Sequence, residues 1–526
     1  MTKNNGFRLT YATMYNPPEE LHTNYQKEVD KIRANLGREF AMLIDGKDVF
    51  ADEKFENRSP INTENVLGIF QKGDASHARA ALQAARRMAK PWGLTPWQER
   101  VALVRKAAER IDARIYEFGA VLSLEVGKNR MEALADAAEA ADLLRYAADQ
   151  MEANNGFVVK MGEDPLKGYK AVNYSILKPY GVWVVISPFN FPAALTGGPV
   201  GAALAAGNTV VIKPATDTPW TSRLIAECFR EAGIPDGVVN YITGPGSTVG
   251  QALIDSDEVD GITFTGSYDV GMKIYRSFAK GKYPRPIILE MGGKNPAVVT
   301  KNADLERAAQ GIFRSAFGLQ GQKCSATSRV LVEEPVYDAL LGKLKTLTEK
   351  AVIGDPTEKD TFLGPVANQS AYNDYKTFTE ELSQAGEFLT GGKVLTGGAL
   401  GKGYFVEPTI AVDVPRDHRL WKHEMFVPIT MVEKVKDFDE ALAIANDVDY
   451  GLTAGVFGSK QEVQQYFENI EAGVVYANRP QGSTTGAWPG FQPFGGWKGS
   501  GSSGKNAGGH YYLQLYMHEQ VNTVIE

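Results

Sequence analysis

The chain contains two cysteines, and one of them has neighbours suited to chemistry. Cys324 sits in GLQGQKCSATSRV, a small and polar stretch. A thiol becomes a strong nucleophile when positive charge or backbone N–H groups stabilise its thiolate, and Lys323 with the run Gln322 to Ser325 has the types to supply both. Cys228, in LIAECFREAG, falls on an amphipathic helical pattern and reads as buried filler. Taken singly, Cys324 is open to that same reading. Glu290 is the second reactive candidate, because it ends the apolar run PIILE and enters the turn MGGKNP. A carboxylate between a buried strand and a double glycine acquires a raised pKa suited to general-base work, with an ordinary strand-end carboxylate as the alternative.

Glycine-rich turns supply candidate phosphate cradles. GPGSTVG at 244–250, containing Gly246, has the spacing GxGxxxG, one residue longer than the dinucleotide fingerprint. FTGSYDVG at 264–271 places Gly266 and Ser267 where N–H groups at a helix start face a pyrophosphate. Either alone also fits a plain strand-to-helix turn. Two in consecutive βα units, preceded by Lys213 at the end of VVIK, favour a dinucleotide at the carboxyl edge of a sheet. The six histidines fall in no HExxH or similar ligand spacing, and the pair His418 and His423 reads as solvent-facing, so no metal centre is expected.

These residues need a scaffold, and its pattern is visible. Apolar residues recur at helical spacing over 76–90 and 94–152, predicting long surface helices after a polar N-terminal arm. From Tyr180 the chain turns to short β-branched runs, each followed by a turn and a helix-like segment: GVWVVISPFN, GNTVVIKPATDTP, GVVNYITGPGS and GITFTGS. A second series follows Glu290, with strands at NPAVVT, ATSRVLVEE, ITMVEKV, AGVFG and GVVYANR. The fold class is α/β with mostly parallel sheets. The end, YYLQLYMHEQVNTVIE, alternates like an exposed strand that a partner subunit covers.

Composition narrows the function classes. At 526 residues the chain suggests about two to four domains, and 43% apolar with 23% charged residues is ordinary for a globular protein. A net charge of -7 and a pI near 5.6, with no run of Lys or Arg longer than a pair, argue against nucleic acid or an anionic membrane as partner. Two cysteines cannot form a disulfide framework, and the start has no apolar h-region, so a cytoplasmic home is expected. The stretch from Trp183 to Ile212 carries no charged side chain, but its prolines, asparagines and glycines favour buried strand, loop and helix over a membrane span.

Together, from about residue 40 to the end, these residues resemble the aldehyde dehydrogenase superfamily. SPFNFP at 187–192, KPATDTP at 213–219, FTGSYDVG, LEMGGKNP at 289–296, GQKCSATSR at 321–329 and HEMFVP at 423–428 stand in that family's order. The resemblance implies Cys324 as nucleophile, Glu290 as the base that activates the hydrolytic water, and the Asn190 amide with the Cys324 N–H as oxyanion hole. It implies NAD, with NADP as the other cofactor, held by Ser187, Lys213, Thr216, Gly246, Gly266, Ser267, Val270, Gly271, Glu424 and Phe426. HEMFVP departs from the usual EEIFGP in its local backbone. Thr216 stands where many NAD-preferring relatives carry an acidic residue, so NADP should be tolerated.

Within the superfamily the chain is most similar to the branch that oxidises L-glutamate γ-semialdehyde to L-glutamate in proline catabolism. Ser325 and the loop TTGAWPGFQPFGGWKGSG at 484–501 carry that likeness. It implies that the Gly486 and Ala487 N–H groups and the Ser325 hydroxyl hold the substrate α-carboxylate, with Phe191 and Phe494 flanking the chain. Trp488 and Pro489 stand where small aliphatics are usual, so a dehydrogenase for another aldehyde, bulkier or aromatic, is the alternative. A non-enzymatic structural role is disfavoured because Cys324, Glu290 and Asn190 are all present. Relatives that pass the acyl group to coenzyme A do not need the Glu, so its presence favours a free acid. The implied architecture is a Rossmann-type NAD(P)-binding domain of residues 1–164 and 180–289, an α/β catalytic domain of 290–504, and a β oligomerisation arm of 165–179 and 505–526. A dimer or multiple of dimers, acting on a small-molecule aldehyde, follows from the same resemblance.

Overall fold

A computed structural model describes residues 17–163, 168, 170–483 and 488–525. Two seven-stranded sheets organise it. In the first, the β-branched runs Val182–Ile186, Thr209–Lys213, Val239–Tyr241, Gly261–Thr265 and Ile287–Glu290 pair in parallel. Strand Thr209–Lys213 is buried along its whole length, as expected for a parallel sheet covered on both faces. In the second, Asn295–Val299, Thr327–Glu333, Thr409–Val412, Ile429–Val435, Thr453–Phe457 and Val474–Ala477 are parallel, and Glu387–Thr390 adds an antiparallel edge. Every strand expected after Tyr180 is present.

The N-terminal segment differs from expectation. It is not a plain polar arm: Glu19–Arg33 is a helix, and Met42–Ile44 with Lys47–Val49 closes one side of the first sheet through an antiparallel pair onto Val239–Tyr241. The long helices are not all on the surface either. Ile115–Val126 is buried from Phe118 to its end, and Arg130–Ala153 lies in the interior. Alanine explains the second case. The run from Ala133 to Ala148 lets the backbone come close to helix Ala194–Ala206, and that helix answers with glycines: a Cβ on Gly198 or Gly201 would meet Leu143 or Leu144 at 2.7 and 2.8 Å. Burial of small side chains against glycine gives no broad apolar stripe in the sequence.

Strand Ala171–Pro179 pairs with the tail strand Met517–Ile525 over its full length, and Val158–Lys160 completes a three-stranded antiparallel sheet. Among the described residues no helix is long and apolar enough to cross a membrane.

The two large sheets meet end to start. The carboxyl ends of the first carry Ser187, Lys213, Gly266 and Glu290, while the amino ends of the second carry Asn295, the turn before Thr327, the turn before Ile429, and Thr453. Backbone leaving one sheet and backbone entering the other thus converge on one cleft.

Candidate active site

The chain approaches Cys324 through an unusual turn. Leu319 (φ 47°), Gln320 (φ 53°) and Gly321 (φ 66°) are all left-handed, a conformation costing roughly 1 kcal/mol or more for each non-glycine residue. Side chains hold it in place. Glu132 Oε2 accepts the Leu319 N–H at 3.1 Å, the Gln320 amide donates to the Gly127 carbonyl at 3.0 Å, and Gln322 Oε1 accepts the Ala367 N–H at 3.0 Å. Beyond the turn, the Asn295 amide donates to the carbonyls of Cys324 (2.7 Å) and Ala326 (2.9 Å) while its oxygen accepts the Thr453 N–H at 3.0 Å.

The thiol itself is pushed up by burial first and by the carboxylates of Glu424 and Glu290 second, with the N–H groups of Ser325 and of Cys324 itself acting the other way. The backbone share of the expected thiolate stabilisation is therefore present. The expected help from Lys323 is not what dominates: its ammonium is buried and its first charge partner is Glu132. Asn190 is buried and gives one amide hydrogen to the Gln322 carbonyl at 3.0 Å, which fixes the plane of the amide and leaves its second hydrogen uncommitted.

Glu290 ends its strand with its carbonyl accepting the Gly266 N–H at 3.1 Å. Its Oε2 is buried without a partner, and desolvation pushes the carboxyl up to about 8. Cys324, Glu290, Phe191 and Phe494 line a single cavity. The Ser325 hydroxyl, fully buried and next to Cys324 in the chain, has no hydrogen-bond partner among the described residues either. Gly486 and Ala487 lie outside the described residues. Trp488 does not line the cavity: its ring packs edge-on against Phe491 with centroids 4.8 Å apart, and the Arg479 guanidinium sits 5.8 Å from its centroid.

The expected cofactor residues lie along the cleft. Glu424 Oε1 accepts the Gly293 N–H at 2.8 Å, a Cβ on Gly292 would run into its other oxygen, and burial pushes its carboxyl up to about 7. Phe426, left-handed at φ 55°, meets Phe189 edge-on with ring centroids 5.8 Å apart. Ser187 accepts a hydrogen bond from Thr196 at 2.8 Å. Lys213 is buried, donates to the Pro214 carbonyl at 2.9 Å, and is lowered by desolvation to about 8. Thr216, Gly246, Ser267 and Val270 are exposed at the open side of the first sheet. A Cβ on Gly266 or Gly271 would approach Phe264 or Met291 at 2.6 and 2.5 Å, while Gly246 faces open space. Buried donors at one end, an anchored carboxylate at the other and bare glycine backbone between them fit an extended dinucleotide.

Reading by motif missed the supporting residues. Lys128 and Asp136 form a fully buried ion pair at 2.9 Å. The Lys128 ammonium lies 3.5 Å from the Phe191 ring centroid, and Asp136 accepts the Ala194 N–H at 2.8 Å. This pair sets the segment that carries Asn190 and Phe191.

Residues 49–522 match the family model described as the aldehyde dehydrogenase family. Among curated proteins the chain is 41% identical over 507 residues to a 1-pyrroline-5-carboxylate dehydrogenase of Geobacillus sp. (strain WCH70), covering 95% of this chain and 96% of that one. It is 40% identical over 508 residues to 1-pyrroline-5-carboxylate dehydrogenase 2 of Bacillus subtilis (strain 168), with 95% and 96% covered. A solved structure of 1-pyrroline-5-carboxylate dehydrogenase from Thermus with bound NAD superposes with a TM-score of 0.92 at 35% identity, covering 100% of both chains.

Proposed function

The chain belongs to the aldehyde dehydrogenase family, and from that premise we propose that it oxidises L-glutamate γ-semialdehyde to L-glutamate with NAD. Bound NAD supplies the acceptor for the hydride that leaves the substrate carbon. Cys324 Sγ adds to the aldehyde carbon, and the oxygen that gains negative charge is met by the free Asn190 amide hydrogen and the Cys324 N–H. Glu290 then takes a proton from water as that water attacks the Cys324 thioester, releasing the acid and restoring the thiol. Help of this kind is typically worth ~10² to 10⁴ in rate. Lys213, Gly266, Gly271 and Glu424 hold the dinucleotide in this reading, with Ser187, Thr216, Gly246, Ser267, Val270 and Phe426 along it.

The observation that carries the substrate is the Ser325 hydroxyl. A buried donor next to Cys324 in the chain, with no partner among the described residues, costs stability unless a ligand satisfies it, and a substrate carboxylate does so. Gly486 and Ala487 complete that anchor in the proposal. The position of Trp488, outside the cavity, removes the main reason for preferring an aromatic substrate.

The proposal keeps the division into an NAD(P)-binding domain (1–164, 180–289), a catalytic domain (290–504) and an arm (165–179, 505–526). It includes a dimer or multiple of dimers closed over the tail strand, where Val521, Val524 and Ile525 stand exposed. A cytoplasmic location suits two free thiols, one of them reactive. The test is kcat/KM over a panel of aldehydes with both cofactors. The semialdehyde should lead, and NADP should be used within about 10³ of NAD because Thr216 sets no carboxylate against a 2'-phosphate. Benzaldehyde matching the semialdehyde would overturn the substrate.

A further inference from the structure

We propose that Tyr512 positions the water on which Glu290 acts, by pointing its one uncommitted hydrogen at a site that the two residues share. The inference deepens the proposed function and rests on its reading of Glu290 as the base of thioester hydrolysis. Strand register puts the parts together. Thr263 and Thr265 pair with Ile288 and Glu290, and alternate residues of a strand share a face, so the Thr263 hydroxyl lies on the face of the sheet that carries the Glu290 carboxylate. On that face a chain of buried groups runs from Trp183 Nε1 to Thr263 Oγ1 at 2.9 Å, on to the Tyr516 hydroxyl at 3.1 Å, and from there to the Tyr512 hydroxyl at 3.0 Å.

The direction of this chain follows from its first member. An indole N–H only donates, so the Thr263 hydrogen goes to Tyr516 and the Tyr516 hydrogen goes to Tyr512. Each oxygen–oxygen contact carries one hydrogen, which leaves that of Tyr512 without an acceptor among the described residues. Burial, and behind it the Glu290 carboxylate, pushes both phenols up, so each keeps the hydrogen that the chain requires. Glu290 has the complementary lack: its Oε2 is buried with no donor among the described residues. A single water satisfies both, accepting from Tyr512 and donating to Glu290 Oε2, and its second lone pair stays free for the acyl carbon. In the reaction the new C–O bond forms as the C–S bond breaks. One water proton passes to Glu290 Oε2, and the sulfur leaves as thiolate that recovers a proton when the acid departs. Tyr512 keeps its hydrogen throughout and is a positioning residue.

The experiment follows the acyl-enzyme of the full-length protein by intact mass after acid quench, beside stopped-flow NADH formation, with the semialdehyde and NAD. Tyr512→Phe should give an NADH burst of native rate and size, while its acyl-enzyme decays about tenfold more slowly, the effect of one hydrogen bond to the attacking water. Because acylation is untouched, kcat/KM should stay within about twofold of native. Tyr516→Phe keeps the Tyr512 hydroxyl but removes the donor that directs it, and should slow decay by a smaller factor, about threefold. Native decay in Tyr512→Phe overturns the proposal. So does a weakened burst, which makes the tyrosine a part of the fold alone, and so does a larger effect in Tyr516→Phe than in Tyr512→Phe. Slow decay in Glu290→Gln beside native decay in Tyr512→Phe removes Tyr512 and leaves the base standing, whereas native decay in both sinks the reading of Glu290 as well.

Discussion

Two cavities share Phe191 as a wall and are built from opposite chemistry. One holds Cys324 and Glu290 among Leu143, Leu195, Phe494 and Leu513. The other is lined by Arg130, Glu132, Arg314, Lys323, Lys359 and Asp360. On the apolar side, burial raises both the thiol and the carboxyl, so neither is ionised without cause. On the charged side the ions serve one another: Lys359 pairs with Glu19 at 2.7 Å, and Lys323 is set against Glu132. The difference teaches that charge near Cys324 shapes its loop, while the proposed reaction would run in the apolar cavity, where two fixed N–H donors would count for more than in bulk.

The comparison breaks most sharply at Ser325, whose buried hydroxyl follows Cys324 in the chain and has no partner among the described residues. With the α-carboxylate as its partner, the semialdehyde should exceed butanal by up to ~10⁴ in kcat/KM, because the unsatisfied donors penalise the aldehyde that lacks the group. Ser325→Ala should raise KM for the semialdehyde and leave butanal nearly unchanged. Equal losses for both substrates would mean the hydroxyl supports the loop rather than the substrate.

The wall between the cavities is the next point of attack. Asp136→Asn leaves the Lys128 ammonium buried without its counter-ion, and removing one partner of a buried pair costs ~3 to 5 kcal/mol. Denaturant unfolding should show that loss, and activity should fall with it as the Lys128 ammonium against the Phe191 ring loses the carboxylate that positions it. A change below about 1 kcal/mol would mean the pair is not needed to hold the wall.

A smaller effect separates Glu290 from the other carboxyl in the cleft. A base held at about 8 by burial is active only when ionised, so turnover limited by thioester hydrolysis should rise about tenfold per pH unit below that value and level above it. Glu290→Gln should remove this limb and Glu424→Gln should keep it. A limb that survives Glu290→Gln belongs to another group.

Much of the arrangement was legible in the sequence, for identifiable reasons. Val, Ile and Thr runs bounded by glycine announce strands, so the residues at strand ends, Lys213, Gly266 and Glu290 among them, could be placed. Cys324 and Glu290 stand out by type and setting while each keeps a plainer reading, and Asn190 is marked only by the family resemblance of SPFNFP. Glu132 does not stand out: its task is to hold the Leu319 N–H, a residue 187 positions away. Asn295 bonds across 29 positions to the Cys324 carbonyl, and nothing local distinguishes it from a strand-start asparagine. Burial of the alanine-rich helix was equally hidden, because it depends on glycines in a helix that the sequence brings much later. Local pattern reports local forces, and these are long-range contacts between small or generic side chains.

The most direct test of the division of labour in the apolar cavity is stopped-flow NADH formation by Glu290→Gln with the semialdehyde and NAD. The account predicts a rapid burst approaching one equivalent per Cys324, followed by turnover ~10² to 10⁴ slower than native, since hydride leaves before water is needed. Cys324→Ala should show neither phase. A Glu290→Gln enzyme that turns over at the native rate, or one that gives no burst, would contradict the assignment of Glu290 to thioester hydrolysis.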